Sequence, residues 1–396
     1  MSPASGSVFG REGLGGLPII DGHCHPLLRD FMAPTLDQFR RLLTESREQA
    51  ILAHHAPALP LTRRLLQALG TLYGVPAEEA AVLEARTSQL DAARLRELFR
   101  AQHVAALLVD DGYPPNALSI EEMRRVLPCR VHRVLRLERL AETLILKGLE
   151  FEEFQAAFRA ELEAAPAHGV VAFKSIVAYR SGLEVGPVTE AEARDAYEAV
   201  RREARGQERL RLVSKPLLDF LLGEALARAA ELDLPLQLHT GFGDADLDLL
   251  KANPLLLRPL LTSQEARGAK VVLLHLGYPY YREAAYLAGL HSGVYVDCSL
   301  ALPYLQETLV PVLRELLGLA PWTKLLYGSD LYGIPELYWF AAGLGREVVG
   351  RTLEMLVEDR MLTREDALRA AEGILAGNAL TLYRLPQDAP AGPGPH

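Results

Sequence analysis

Histidines at the ends of apolar segments are the residues of this sequence best suited to chemistry. His23 and His25 follow the apolar run that ends at Ile20, and they are one residue apart. Side chains alternate across a β-strand, so residues at i and i+2 share a face and both imidazoles can point the same way. Imidazole binds Zn, Mn, Fe or Ni in proteins, and two on one strand end form half of a metal site.

Three further polar residues occupy equivalent places later in the chain. His239 follows the run that ends at Leu238, His275 follows Leu274, and Asp330 comes soon after Tyr327. A carboxylate at an apolar strand tip is costly unless it is paired or binds a metal. Each residue alone could be an ordinary polar residue at a strand end, but the recurrence on four segments favours one shared metal site.

Lys174 ends the apolar segment Val170 to Phe173 and is the sixth candidate ligand. Burial disfavours the charged form of an amine, and a neutral amine can react with carbon dioxide. The resulting carbamate would be an anionic oxygen ligand able to bridge two metal ions. The alternative is that Lys174 pairs with Asp330 or with a carboxylate of the substrate.

Eight short apolar segments, several of them rich in β-branched residues, are predicted strands that could deliver these side chains to one place. Longer helical patterns separate most of them, which indicates a parallel α/β architecture, and eight strands are the number that closes a TIM barrel. The predicted strands are Leu17 to Ile20, Val104 to Val109, Val131 to Leu137, Val170 to Phe173, Leu236 to Leu238, Val271 to Leu274, Val294 to Val296 and Leu325 to Tyr327.

The stretch between the first two predicted strands is far longer than an ordinary βα loop. Its helical patterns, at Leu36 to His54, Thr62 to Leu69, Ala77 to Leu83 and Leu90 to Arg100, predict a helical insertion over residues 31–100. We expect it to cover the C-terminal mouth of the barrel, where active sites of this fold lie. The barrel domain is predicted to span 17–385, with flexible tails at 1–16 and 386–396.

Composition excludes several classes of function. The chain has 396 residues, 49% of them apolar, and a formal net charge of −9, which argues against a broad nucleic-acid surface. Three scattered cysteines and no apolar run long enough to cross a bilayer favour a cytoplasmic protein without a membrane partner. We expect a small-molecule substrate. The apolar surface of the predicted helices is compatible with a homo-oligomer.

The pattern of His-x-His, lysine, two single histidines and aspartate on successive strands resembles the amidohydrolase superfamily. More narrowly, the segments at 173–183 and 239–244 are similar to the amidohydrolase 2 group, which includes FluG-like and nodulin-like domains. The resemblance covers residues 17 to 385. It is specific for the superfamily and much less so for a reaction.

The resemblance implies how the ligands would be used. His23, His25 and Asp330 would hold one divalent metal, foremost Zn, and His239 and His275 a second, with carbamylated Lys174 bridging them. Metal-activated hydroxide would then cleave an amide, lactone or similar bond, with Asp330 orienting the water and transferring its proton. The alternatives are a mononuclear, non-oxidative decarboxylase and a catalytically inactive barrel that serves as a binding or scaffold domain.

Residues that follow the ligands are candidates for binding the substrate. Tyr179 and Arg180 come after Lys174, Tyr278 after His275 and Tyr332 after Asp330. The planar guanidinium of an arginine suits a carboxylate, so Arg180 predicts a carboxylated substrate. The tyrosines could equally be packing residues or, as predicted here, walls of the substrate pocket.

Overall fold

Eight parallel strands form one sheet in chain order in the computed structural model, which describes residues 13–264 and 266–386. They are β1 Ile19–Cys24, β2 Val104–Asp110, β3 Arg130–Arg136, β4 Val170–Ser175, β5 Pro235–Leu238, β6 Lys270–Leu273, β7 Val294–Asp297 and β8 Leu325–Leu326. Backbone hydrogen bonds join the segment after β8 to β1, from Gly22 N to Tyr327 O at 3.0 Å and from Asp330 N to His23 O at 2.8 Å. The sheet therefore curls into a nearly closed TIM barrel, which confirms the predicted fold class.

All eight predicted strands are present, and β1 and β4 extend furthest beyond their predicted C-terminal ends. β1 continues to Cys24 and so includes His23, and β4 continues to Ser175 and so includes Lys174. The polar residue Asp21 is accommodated inside β1 because its carboxylate accepts a hydrogen bond from Ser329 N at 2.9 Å. The predicted ends of these two strands were placed before the first polar residues. In the barrel, Asp21 and His23 lie within β1, and Lys174 lies within β4.

Helices surround the sheet. They are α1 Leu36–Arg41, α2 Pro60–Tyr73, α3 Glu79–Gln89, α4 Ala92–Ala101, α5 Ile120–Val126, α6 Leu137–Ile145, α7 Phe151–Ala164, α8 Glu190–Ala204, α9 Lys215–Leu232, α10 Arg258–Leu261, α11 Tyr281–Leu290, α12 Ala301–Leu305, α13 Leu309–Leu317, α14 Pro335–Glu358, α15 Arg364–Glu372 and α16 Asn378–Leu382. Short 3-10 helices are Ala56–Ala58, Ala165–His168, Val177–Tyr179, Leu249–Ala252, Pro254–Leu257, Leu274–Gly277, Gln306–Thr308 and Trp322–Lys324; π-helices are Ile51–His55 and Gly373–Gly377.

Four α-helices and two short helices lie between β1 and β2, where the sequence predicts a helical insertion. The single helical pattern over Leu36 to His54 is wrong in detail, because α1 ends at Arg41 and helix resumes only at Ile51. The intervening segment, residues 42–50, is named here the cover segment. Arg47 of this segment forms an ion pair with Asp244 in the loop after β5, so the cover segment reaches the mouth of the barrel.

Two hydrophobic clusters build the protein. The larger one lies between the sheet and the surrounding helices. The smaller one fills the barrel interior and includes the C-terminal segment around Tyr383: its members are Ile20, Ala106, Leu108, Val134, Ala172, Val272, Leu274, Leu326, Ala376, Ala379, Leu382, Tyr383 and Leu385. Apolar packing thus occupies the barrel interior and leaves its C-terminal rim for polar side chains.

The tails predicted at 1–16 and 386–396 fall largely on residues 1–12 and 387–396, which lie outside the described residues. In the part of the chain that the structure describes, no helix is both long enough and apolar enough to cross a membrane.

Candidate metal centre

The structure brings the six predicted ligands together at the rim of the barrel. His23 Nε2 lies 2.9 Å from Asp330 Oδ1 and 3.2 Å from Lys174 Nζ, and His25 Nε2 lies 3.3 Å from the same Asp330 oxygen. On the other side of the cluster, His275 Nε2 is 4.0 Å from Asp330 Oδ2 and 3.0 Å from His239 Nδ1. The six side chains come from β1, β4 and the segments after β5, β6 and β8.

Each imidazole has one nitrogen held by a hydrogen-bond acceptor. His23 Nδ1 is 2.9 Å from Gln237 Oε1, and Gln237 uses its amide nitrogen to donate to Gly22 O and to the Tyr383 hydroxyl oxygen. His25 Nδ1 is 3.0 Å from Asp110 O. These acceptors place the proton of each ring on Nδ1, so that both Nε2 atoms present a lone pair to Asp330.

The same logic applies to the other two histidines. His275 Nδ1 is 2.9 Å from Ser299 Oγ, which itself donates to Asp297 Oδ1 at 2.6 Å and therefore accepts from the ring. His239 Nε2 is 3.1 Å from Phe242 O, which can only accept. The unprotonated atoms are then His275 Nε2 and His239 Nδ1, and these are the two nitrogens that face each other.

Lys174 Nζ can donate to His23 Nε2 at 3.2 Å, but the other facing lone pairs have no donor among the six side chains and are unfavourable unless a cation lies among them. Asp330 Oδ1 is buried and has no hydrogen-bond partner among the described residues, although two imidazole nitrogens lie within 3.3 Å of it. The ligand atoms of His23, His275 and Asp330 lie within 4.8 Å of one another. Nitrogen and carboxylate ligands in this arrangement fit a divalent transition metal ion.

A second group within the same distance, His23, His25 and Asp110, is less suited to a metal. Arg136 donates to both carboxylate oxygens of Asp110, with a closest distance of 2.6 Å from Nη2 to Oδ2. This ion pair lowers the pKa of Asp110 despite its burial. We therefore assign Asp330 as the carboxylate ligand. Asp110 orients His25, because its backbone carbonyl oxygen holds His25 Nδ1.

Protonation states of the cluster also favour metal binding. Burial lowers the pKa of His23 to about 4 and that of His275 to about 3, so both rings are neutral near pH 7. Burial by itself would raise the pKa of Asp330, but the nearby His275, His23 and His25 bring it well below its usual value. Neutral imidazoles and an ionised carboxylate are the forms that bind metal ions.

Lys174 lies inside the barrel and is almost completely buried. Burial lowers the pKa of its amine to about 8, although Asp110 and Asp330 act in the opposite direction. A fraction of the amine is consequently neutral close to neutral pH, which is the form that reacts with carbon dioxide.

Two of the ligands have unusual backbone conformations. His275 and Asp330 adopt positive φ angles of 64° and 58°, in the left-handed region that non-glycine residues rarely occupy. Hydrogen bonds hold both, from His275 N to Asp297 Oδ1 at 2.9 Å and from Asp330 N to His23 O at 2.8 Å. Such conformations cost on the order of 1–3 kcal/mol and cluster at functional sites.

Glycines let the loop after β5 pack closely against the site. Gly241 has a φ of 72°, and a Cβ there would lie 2.3 Å from Tyr278 O. A Cβ on Gly243 would lie 1.9 Å from the hydroxyl of Tyr179. The loop that holds His239 Nε2 through Phe242 O is therefore tightly packed.

The four predicted substrate-binding residues have different surroundings. The ring of Tyr179 lies 4.4 Å from that of His239, and Tyr332 packs 5.5 Å from Tyr113, which in turn contacts His25. Tyr278 packs against Phe242 at 5.7 Å. Tyr179 thus lies beside the metal centre and Tyr332 one aromatic ring away from it, whereas Tyr278 packs on Phe242 of the loop after β5.

Arg180 is largely buried and is held by Glu142, with 3.1 Å between Nη2 and Oε1. Its Nε and Nη1 atoms are buried and have no hydrogen-bond partner among the described residues. Two donors of this guanidinium therefore remain available for a ligand.

Sequence analysis missed the residues that orient the ligands and those that come from outside the strand ends. Gln237, Asp297 and Ser299 hold His23 and His275, and the cover segment adds Glu45, whose Oε1 accepts a hydrogen bond from the Tyr304 hydroxyl at 3.1 Å. Gln237 had a detectable signal, because it is a polar residue in the middle of an apolar strand. Glu45 had none, since its position depends on the path of the cover segment.

The model of the family described as Amidohydrolase matches residues 150–385, more than half of the chain. The chain belongs to the amidohydrolase family. It is also 30% identical to the protein fluG of Emericella nidulans over 408 aligned positions, which cover 94% of this chain and 46% of fluG. The chain therefore spans about half the length of this amidohydrolase relative.

Solved structures agree with the family assignment. A Lactobacillus casei protein named as a metal-dependent hydrolase superposes with a TM-score of 0.85 and is 30% identical, with 94% of this chain and 97% of that chain covered. The uronate isomerase of Thermotoga maritima superposes with a TM-score of 0.67 at 14% identity, with 94% and 96% covered. The second likeness shows the fold alone. The chain thus has the fold of metal-dependent amidohydrolase-superfamily enzymes, which includes hydrolases and isomerases.

Proposed function

We propose that this amidohydrolase is a metal-dependent hydrolase that cleaves an amide, lactone or similar bond in a small, carboxylated substrate. The observation that carries the proposal is the convergence of two imidazole lone pairs, those of His23 and His25, on an Asp330 oxygen without a hydrogen-bond partner among the described residues. The facing lone pairs of His239 and His275 lie beside the other oxygen of the same carboxylate. The 30% identical Lactobacillus casei protein named as a metal-dependent hydrolase supports the same reaction class.

In this proposal His23, His25 and Asp330 hold one ion, and His239 and His275 hold a second. Zn is the first choice for this set of nitrogen and oxygen ligands, with Mn, Fe or Ni as alternatives. Carbamylated Lys174 would bridge the two ions. The lowered pKa of its buried amine and its distance of 3.2 Å from His23 Nε2 support this role.

A divalent ion supplies Lewis acidity and lowers the pKa of a water molecule. Asp330 takes up the proton of the attacking water, since its ionised carboxylate has an oxygen without a hydrogen-bond donor. Its side chain is 13% exposed, so that a reactant entering the mouth can reach it. Gln237, Ser299 and the backbone carbonyls of Asp110 and Phe242 keep the imidazoles in their orientation.

Metal binding is expected to stabilise the fold and to require His239. Protein stripped with a chelator should bind one or two equivalents of Zn²⁺, and at a thousand times Kd the ion should add about 4 kcal/mol to the free energy of unfolding. His239→Ala should lose at least one equivalent, whereas His54→Ala, in the insertion, should bind as the wild type. Elemental analysis and urea unfolding with and without metal measure both effects.

The metal stoichiometry also separates the alternatives. Two equivalents, together with a carbamate carbon signal from Lys174 in protein exposed to ¹³C-labelled carbon dioxide, support the binuclear hydrolase. One equivalent with a free Lys174 amine would favour non-oxidative decarboxylation. Failure of the wild-type protein to bind any divalent ion would contradict the proposal and leave a binding or scaffold role.

Arg180 is proposed to bind the carboxylate of the substrate through Nη1, a donor atom that has no protein partner among the described residues. Arg180→Lys keeps the positive charge beside Glu142 but removes the planar guanidinium that presents this donor. KM for a carboxylated substrate should rise about tenfold to a hundredfold, since a charge-assisted hydrogen bond contributes about 1.5–3 kcal/mol. KM for its neutral methyl ester should change little.

Arg211→Lys is the matched control, because Arg211 is exposed and contacts Tyr179 O at 3.2 Å from the neighbouring segment. Steady-state kinetics on both substrates in both variants test the assignment. Equal changes in KM for the acid and the ester would show that Arg180 does not bind the carboxylate.

A further inference from the structure

The cover segment places one carboxyl group, that of Glu45, at the mouth of the barrel opposite the metal centre. Its Oε1 accepts a hydrogen bond from the hydroxyl of Tyr304, which lies in α12 after β7. Asp330 and Asp244 lie within electrostatic range of Glu45, and so do Tyr179 and Tyr332. Glu45 thus faces residues that follow β4, β5, β7 and β8.

Glu45 has no structural partner that would account for a carboxyl group in this place. Among the described residues, Tyr304 is its hydrogen-bond partner and no ion pair includes it. Arg47, whose charge acts on Glu45, forms its ion pairs with Asp244 at 2.6 Å and Asp246 at 3.7 Å instead. A half-buried carboxyl without a cation is costly when ionised, so the site favours its protonated form.

The surroundings of Glu45 agree with this conclusion. Burial, with Asp330 as the next contribution, raises the pKa of Glu45 to about 7, while the hydrogen bond from Tyr304 and the charge of Arg47 lower it. Contacts hold the cover segment and the helix end before it: Arg47 pairs with Asp244, and the Tyr332 hydroxyl lies 3.5 Å from the carbonyl oxygen of Arg41, the last residue of α1. The carboxyl group is therefore held at the mouth, and a substantial fraction of it carries a proton near pH 7.

We propose that Glu45 is the proton donor to the leaving group, while Asp330 accepts the proton of the attacking water. The inference rests on the proposed hydrolase function and divides its proton transfers between two carboxyl groups. For an amide, a C–O bond forms as the water proton moves to Asp330, and the C–N bond breaks as the Glu45 proton moves to the nitrogen. The proton on Asp330 then returns through solvent to Glu45, so that one water is consumed in each cycle.

Glu45→Gln tests the assignment, with Glu48→Gln as the matched control because Glu48 is exposed and lies on the same cover segment. With metal-saturated protein, Glu45→Gln should lower kcat about 10²-fold to 10⁴-fold for an alkyl amide, whose leaving group needs a proton. For a nitrophenyl ester, whose leaving group does not, the loss should be less than about fivefold. We expect kcat of the wild type to fall as the pH rises above about 7, where Glu45 loses its proton, and this fall should be absent in Glu45→Gln.

Equal losses on the amide and the ester, or a rise in KM with unchanged kcat, would overturn the assignment of a proton donor. A test that needs no activity is carboxyl titration by ¹³C NMR, comparing wild type with Glu45→Gln. The resonance lost in the variant should titrate near neutral pH, and titration below pH 5 would refute the inference. The NMR titration also distinguishes the Glu45 inference from the proposed hydrolase function. It can show a Glu45 carboxyl that titrates near neutral pH even in a protein that hydrolyses neither substrate.

Discussion

Asp330→Asn lowers kcat/KM at least about 10³-fold while the fold is retained. The carboxylate oxygen that faces His23 and His25 loses its charge, and the group that accepts the proton of water is removed. General-base catalysis contributes about 10²–10⁴-fold by itself, and weaker metal binding adds to the loss. Asparagine is the suitable replacement because it tolerates the left-handed backbone at this position, where φ is 58°.

Kinetics at saturating metal, with far-ultraviolet circular dichroism and elemental analysis, measure this effect. Asp248→Asn is the matched control, since Asp248 also follows β5 but is exposed and pairs with Lys251 at 3.5 Å. Its kcat/KM should remain within about tenfold of the wild type. An Asp330→Asn enzyme with the activity of this control would contradict both the ligand role and the proton-transfer role of Asp330.

Arg86→Ala lowers the free energy of unfolding by about 3–5 kcal/mol, the cost typical of breaking a buried ion pair. Arg86 in α3 and Glu336 in α14 are both fully buried, with 2.6 Å between Nε and Oε1. Arg86 also donates to the carbonyl oxygens of Phe31 and Met32, and Tyr73 donates to Glu336. Without Arg86, the Glu336 charge and two backbone carbonyls lose their partners.

Urea unfolding of Arg86→Ala and of Arg369→Ala measures the difference in the free energy of unfolding between a buried and an exposed ion pair. Arg369 is 60% exposed and pairs with Asp366 at 2.7 Å on the surface, so its loss should cost less than about 1 kcal/mol. The slope of free energy against urea concentration should be unchanged in both variants if unfolding remains two-state. Similar stabilities of the two variants would show that the Arg86 pair does not anchor the insertion to the barrel.

The barrel and the ligand cluster were predictable because both depend on local patterns. Apolar segments of three to seven residues alternate with helical patterns, and all eight predicted strands are found. The placement of His23, His25, His239, His275 and Asp330 at strand ends predicted their convergence, since parallel strands bring their C-terminal ends to one rim. The family match and the relatives confirm the fold and family expected from the same residues.

The ends of the strands and the residues that orient the ligands were less predictable. β1 was expected to end at Ile20, yet it continues through Asp21 because a backbone amide 308 residues later binds that carboxylate. Gln237, Ser299 and Asp297 orient the histidines through contacts between distant segments, which periodicity does not reveal. Tyr113, whose ring lies beside that of His25, was likewise missed.

What the sequence determined by itself was the type of residue at each strand end and, through strand alternation, the rim where those residues meet. Tertiary structure alone decided which nitrogen of each imidazole is free, because hydrogen-bond acceptors on other segments hold the opposite nitrogen. It also decided that Glu45 faces the centre, since the cover segment crosses the mouth along a path set by contacts such as Arg47 with Asp244. Local pattern follows from backbone geometry, whereas proton positions and loop paths depend on partners that are distant in the chain.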